Sequence, residues 1–97
     1  MKVKSEPIIK TSGNVFLDLG FPPEEAAIFQ MRAEIMADLR KFIKTKKLTQ
    51  AKAADLFGVS QSRVSDLIRG KWEKFSLEML IALATKAGMR ISLKRVA

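Results

Sequence analysis

The stretch Thr49–Lys71, TQAKAADLFGVSQSRVSDLIRGK, holds two short amphipathic patterns divided by Gly58-Val59-Ser60. Thr49 and Ser60 carry hydroxyls suited to accept from the orphan amides of a first helical turn. The segment therefore predicts helices over Gln50–Phe57 and Gln61–Arg69. Gly58 admits a sharp corner without a Cβ penalty, and Gly70 suits the left-handed conformation that ends a helix. At about 100° per residue, Val64, Leu67 and Ile68 fall on one side of the later helix. Ser62, Ser65, Asp66 and Arg69 fall on the other, with Gln61 and Arg63 at the flanks. A surface helix that needs only solubility usually carries long Lys and Glu side chains. This face is mostly short or uncharged and mixed in hydrogen-bonding character, so it can approach another surface closely. A major groove about 12 Å wide admits such a helix, and Gln, Ser and Arg bond base edges there. Ala51, Ala53 and Ala54 let the two helices pack closely at a steep angle, with Phe57 and Val59 pinning the corner to a core.

Outward from this corner, Pro23, Glu24 and Glu25 mark the start of a long helix: proline in the first turn, carboxylates at the positive end of the dipole. Ile28, Met31, Ile35, Leu39, Phe42 and Ile43 form its apolar stripe, which predicts a helix to about Lys44. Lys46 and Lys47 make the connection to Thr49. After the corner, Ser76 opens another helix whose Leu77, Leu80, Ile81 and Ala84 share a face, and Gly88 closes it. Two flanking stretches alternate with period two, the mark of a half-buried strand. In Asn14–Leu19 these are Val15, Leu17 and Leu19; in Met89–Val96, Met89, Ile91 and Leu93 oppose Arg90, Ser92 and Lys94. Residues 1–13 show no periodicity and are expected to be flexible. The expectation is one domain over 14–97, with its core in 31–87 and flanking strands at 14–19 and 89–96.

Composition narrows the function. The 97 residues include no Cys and no His, which removes the commonest metal ligands, general base and thiol nucleophile. No metal or cofactor is expected. The carboxylates Glu34 and Asp38 share one flank of the long helix, but without His or a Gly-rich phosphate loop they make a poor catalytic pair, and no enzyme is expected. No apolar run approaches the roughly 18 residues of a membrane helix, and MKVKSEPIIKTSG lacks the apolar stretch of a signal peptide. A cytoplasmic, nucleoid-associated protein with no membrane partner is expected. Net charge is +8 and unevenly placed. Residues 1–39 hold four basic and six acidic groups (−2), residues 40–74 ten and three (+7), and residues 75–97 four and one (+3). A basic patch around the corner fits a nucleic-acid surface or a solvated face equally well on charge alone.

Gln50, Ala54, Gly58, Val64 and Leu67, at these steps, resemble the signature of helix-turn-helix proteins of the Cro / lambda-repressor type, the XRE family. The long preceding helix and LIRGKWEKFSLEML afterwards fit it as well, so the resemblance covers about Met31–Ala87. It implies an all-α, lambda-repressor-like bundle of four to five helices, here with short flanking N- and C-terminal β-strands. GNVFLDLGFPPEEAA before the long helix, and a basic strand after the last one, resemble the antitoxins of HigA-like toxin–antitoxin pairs.

The resemblance implies roles. Gln50 bonds a DNA phosphate at a helix N-terminus. Gln61 and Ser62, with Ser65 and Asp66 one turn on, contact bases. Asp66 departs from the uncharged polar residue usual there; it either accepts from a cytosine amino group or pairs along the helix with Arg63 or Arg69. Arg63, Arg69, Lys71 and Lys74 contact phosphates, as do Lys46 and Lys47 more weakly. Trp72 either packs its ring on the core edge and offers its N–H to a phosphate, or is a plain core residue. The implied protein is a repressor that binds a palindromic operator in double-stranded DNA as a homodimer, captures a small toxin and autoregulates its operon. The alternative is a stand-alone regulator without a toxin. The two expected strands serve pairing within or between subunits.

Overall fold

The computed structural model describes residues 14–92. Residues 1–13, expected to be flexible, and residues 93–96 of the expected C-terminal strand lie outside them. The described elements are α1 (Val15–Asp18), α2 (Pro23–Thr45), α3 (Gln50–Phe57), α4 (Gln61–Ile68), a 3-10 turn (Trp72–Lys74) and α5 (Leu77–Lys86). The chain divides into two compact units, Met1–Met31 and Arg32–Ala97, with the boundary inside α2.

The first unit corrects the expected strand at Asn14–Leu19. Asn14 is an N-cap: its side-chain oxygen accepts from the amides of Phe16 (2.9 Å) and Leu17 (3.3 Å), starting a helical turn. Its side-chain amide also donates to the Ala26 carbonyl (3.0 Å), tying α1 to the first turns of α2. The alternation pointed the wrong residues inward. Phe16 is buried, while Val15, Leu17 and Leu19 are exposed. The Phe16 ring meets the edges of Phe21 and Phe29 at centroid distances of 6.1 and 5.4 Å, and Phe21 meets Phe29 at 5.1 Å. An Asx cap and three interlocking aromatic rings outweigh a period read over only six residues.

In the second unit α2 contributes Ile35, Met36, Leu39 and Ile43 to a core completed by Ala53, Ala54 and Phe57 of α3, Val64 and Leu67 of α4, Phe75, and Leu80, Leu83 and Ala84 of α5. Ile28 and Met31 continue the same stripe of α2 but are exposed, so the stripe outruns the core that it serves. The local signals hold where hydrogen bonds are local. Thr49, Ser60 and Ser76 each cap a helix by accepting from the amide three residues on. α4 ends one residue early, with Arg69 as its C-cap and Gly70 left-handed at φ 73°. α2 runs to Thr45 and closes with paired backbone bonds, Leu48 N–H to the Ile43 carbonyl (3.0 Å) and Lys47 N–H to the Lys44 carbonyl (3.1 Å). Such a closure needs a left-handed residue, and that residue is Lys47, at φ 54°.

The second expected strand is also corrected. Residues 89–92 form no strand, and the Met89 amide bonds instead to the Ala84 carbonyl (2.9 Å), extending the end of α5. A strand needs a ladder partner for its amides and carbonyls, and the stretch expected to pair with it is helical.

Leu67 is 1% exposed. Leu67→Ala is expected to cost about 3 kcal/mol of unfolding free energy in a urea titration. Ser62→Ala, on the exposed face of the same helix, should stay within about 0.5 kcal/mol.

Candidate nucleic-acid interface

The corner between α3 and α4 is built by backbone geometry. Gly58 stands left-handed at φ 68°, and the Val59 amide returns to the Ala54 carbonyl (3.0 Å). Phe57, on one side, is fully buried and lies against Phe42 (centroids 6.4 Å); Val59, on the other, is half-buried. Ala53 and Ala54 are buried at the α3 contact, whereas Ala51 points outward. α3 packs chiefly on α4.

With Val64 and Leu67 buried and Ile68 half-buried, the opposite face of α4 is set. Gln61, Ser62 and Arg69 are exposed, and Ser65 and Asp66 are half-buried one turn in. Gln50 is exposed at the start of α3, as are Lys46 and Lys47 just before it. Lys74 is exposed and Lys71 half-buried on the turn after α4. Two helix N-termini, each opened by an exposed Gln and capped by a hydroxyl, are thus presented with cations before α3 and after α4. Helix N-termini favour anions through their unpaired amides and dipole.

Three features were not legible in the sequence. Arg63 is half-buried, and its guanidinium donates to the Lys74 carbonyl (3.0 Å) and lies 5.4 Å from the centroid of the Phe75 ring. It ties the first turn of α4 to the loop carrying Lys71 and Lys74. Among the described residues no ion pair joins Asp66 to Arg63 or Arg69, so the expected pairing along the helix is not formed. Phe75, 1% exposed, roots that loop in the core, and Trp72 packs half-buried against the same core. Lys86, in the last turn of α5, donates to the Phe57 carbonyl (3.1 Å), where α3 ends at the corner. A cation there satisfies an orphan carbonyl and complements the negative end of the α3 dipole. The partners are 29 residues apart, so no local pattern announces the bond.

Glu34 and Asp38 are both exposed on α2. No described helix is long and apolar enough to cross a membrane.

Two capped helices joined through a left-handed glycine, the second anchored on one side and polar on the other, define a helix-turn-helix DNA-binding module. The chain belongs to a family described as a helix-turn-helix domain, whose model matches residues 15–95. No curated protein matches the chain.

Lys86→Met retains the apolar stem and removes the bond to the corner. It is expected to lower stability by about 1–2 kcal/mol, read by chemical denaturation. Gly58→Ala meets two obstacles: its Cβ would lie 3.0 Å from the Lys86 ammonium, and φ is 68°. A loss of at least about 1 kcal/mol is expected.

Proposed function

We propose that this chain is a sequence-specific DNA-binding transcriptional repressor, acting as a homodimer, in which α4 enters the major groove. The observation that carries the reading is the exposure of Gln61 and Ser62 at the N-terminus of a helix whose opposite side is buried in the core. Gln61 and Ser62 contact base edges, with Ser65 and Asp66 one turn deeper. Asp66, lacking an ion pair with either neighbouring arginine, keeps its carboxylate available to a cytosine amino group. Gln50, Lys46, Lys47, Arg69, Lys71 and Lys74 contact phosphates. Arg63 retains guanidinium donors beyond the one given to Lys74 and serves both the loop and a phosphate. α4 has eight residues and spans only about 12 Å, so one copy reads few bases. A dimer sets two such helices about 34 Å apart on a palindromic site. The XRE-type relationship and a cytoplasmic, nucleoid-associated location belong to this reading.

We further propose that the repressor is an antitoxin. The first unit supports this. Within residues 14–31, Val15, Leu17, Leu19, Phe21, Ile28 and Met31 are all exposed. The same stretch holds the carboxylates Asp18, Glu24 and Glu25 and no Lys or Arg. Scattered exposed apolar residues are ordinary, but this many in so short a segment mark an interaction surface. Its charge suits a small basic protein, which a DNA module alone has no use for.

A gel shift on the DNA just upstream of the gene, run against scrambled DNA, tests the first proposal. The Gln61→Ala/Ser62→Ala variant is expected to lose discrimination worth about 1–3 kcal/mol per lost base contact. Unchanged discrimination would overturn the assignment of α4 as the reading helix. Val15→Asp/Leu19→Asp tests the second: it should retain operator binding while no longer co-purifying with the protein encoded beside it. Co-purification unaffected by these substitutions removes the first unit from partner capture.

A further inference from the structure

A groove of about 490 Å³ lies within the second unit, between the C-terminal half of α2 and residues 89–91. The Met89 amide bonds to the Ala84 carbonyl (2.9 Å) and Met89 packs on the core, which leads Arg90 and Ile91 back alongside α2. The floor of the groove is apolar and consists of Phe42 and Met89, both half-buried, and Ile91. Ile91 is 45% exposed. Among the described residues of the second unit, Leu56 is the only other large apolar side chain left exposed. The core takes Met89 and leaves Ile91 to the groove.

The rim is charged, and its charges are ordered. Asp38, Lys41 and Lys46 follow one another along the α2 wall, and Arg90 belongs to the other wall; all four are exposed. Three cations therefore accompany one carboxylate. Asp38 and Lys46 are eight residues apart, about 12 Å along the helix axis, so the α2 wall runs from a negative end to a positive one. Sites for small ligands commonly enclose about 300–1,000 Å³, with an apolar lining and a few polar groups that fix orientation. This groove has that size, an apolar floor and a polarised rim.

We infer that the groove binds an amphiphilic anion, a small molecule with an apolar body and a single carboxylate head. The body covers Phe42, Met89 and Ile91 and takes exposed apolar surface out of water. The head lies at the cationic end, where ammonium and guanidinium groups offer charge-assisted hydrogen bonds. Asp38 sets the direction, because an anionic head at its end of the groove would meet like charge. A molecule with a carboxylate at each end is disfavoured for the same reason. A second copy of this chain is a poorer occupant, since it would bring the same three cations against themselves. The site stands apart from the DNA-binding reading, and either can fail without the other.

The test is calorimetric titration of the full chain with decanoate, below the concentration at which it forms micelles. Saturable binding of one molecule per chain is expected. Lys41→Gln/Arg90→Gln should weaken it about tenfold with an unchanged melting temperature. Sebacate, the dicarboxylate of the same chain length, should bind about fivefold more weakly than decanoate, and Asp38→Asn should abolish that difference. Decylammonium should bind more weakly than decanoate to the wild type. Equal binding of decanoate and decylammonium, or decanoate affinity untouched by the double variant, would reduce the effect to apolar adhesion and overturn the inference. Failure of the wild type to bind decanoate, with Ile91→Asp converting a dimer to monomers in sedimentation equilibrium, would give the groove to a second copy and overturn it equally.

Discussion

Everything functional in this molecule depends on how α4 is held at the corner with α3. Val64 and Leu67 are almost completely excluded from solvent, and Phe57 seals the corner from the other side. Each such side chain contributes roughly 1.5–3 kcal/mol through burial. That is enough to fix the rotation of an eight-residue helix, which would be marginal by itself in water. Once the rotation is fixed, Gln61 and Ser62 have nowhere to go but outward. The chemistry of the exposed face follows from apolar contacts on the hidden one.

Polar bonds then hold the parts around that helix. Lys86 reaches from α5 to the carbonyl that ends α3, and Arg63 reaches from α4 to the carbonyl of Lys74. Both are cations donating to backbone oxygen, and both cross between elements. They restrain the corner and the basic loop without placing an unpaired charge in the core, where the described residues include no buried polar side chain. The same economy appears in the charge pattern. The second unit carries the basic residues around the corner, whereas residues 14–31 carry only carboxylates among their charged groups. A basic surface attracts polyanions, and the helix-turn-helix lies in the basic unit.

Some of this was legible in advance and some was not, for identifiable reasons. Thr49, Ser60 and Ser76 were readable as caps because each bonds an amide only three residues away. Val64 and Leu67 were readable as anchors because helical periodicity places them together. Asn14–Leu19 misled because Val15, Leu17 and Leu19 alternate, although the ring that is buried belongs to Phe16. Six residues cannot separate a strand from a capped turn when three aromatic rings decide the outcome. Ile28 and Met31 misled in another way. They obey the stripe of α2, but a stripe states which face is apolar and not how far along the helix a core extends to cover it.

The sequence by itself determined the helix-turn-helix: its caps, its left-handed glycines, its buried and exposed faces and its basic surroundings all follow from bonds and periodicities within a few residues. Tertiary structure alone decided the bonds made by Lys86 and Arg63, and the left-handed state of Lys47 at the closure of α2. A long cationic side chain reaches any of several carbonyls or anions. Which one it meets depends on the packing of distant elements, and that information is spread over the whole core rather than written at the residue.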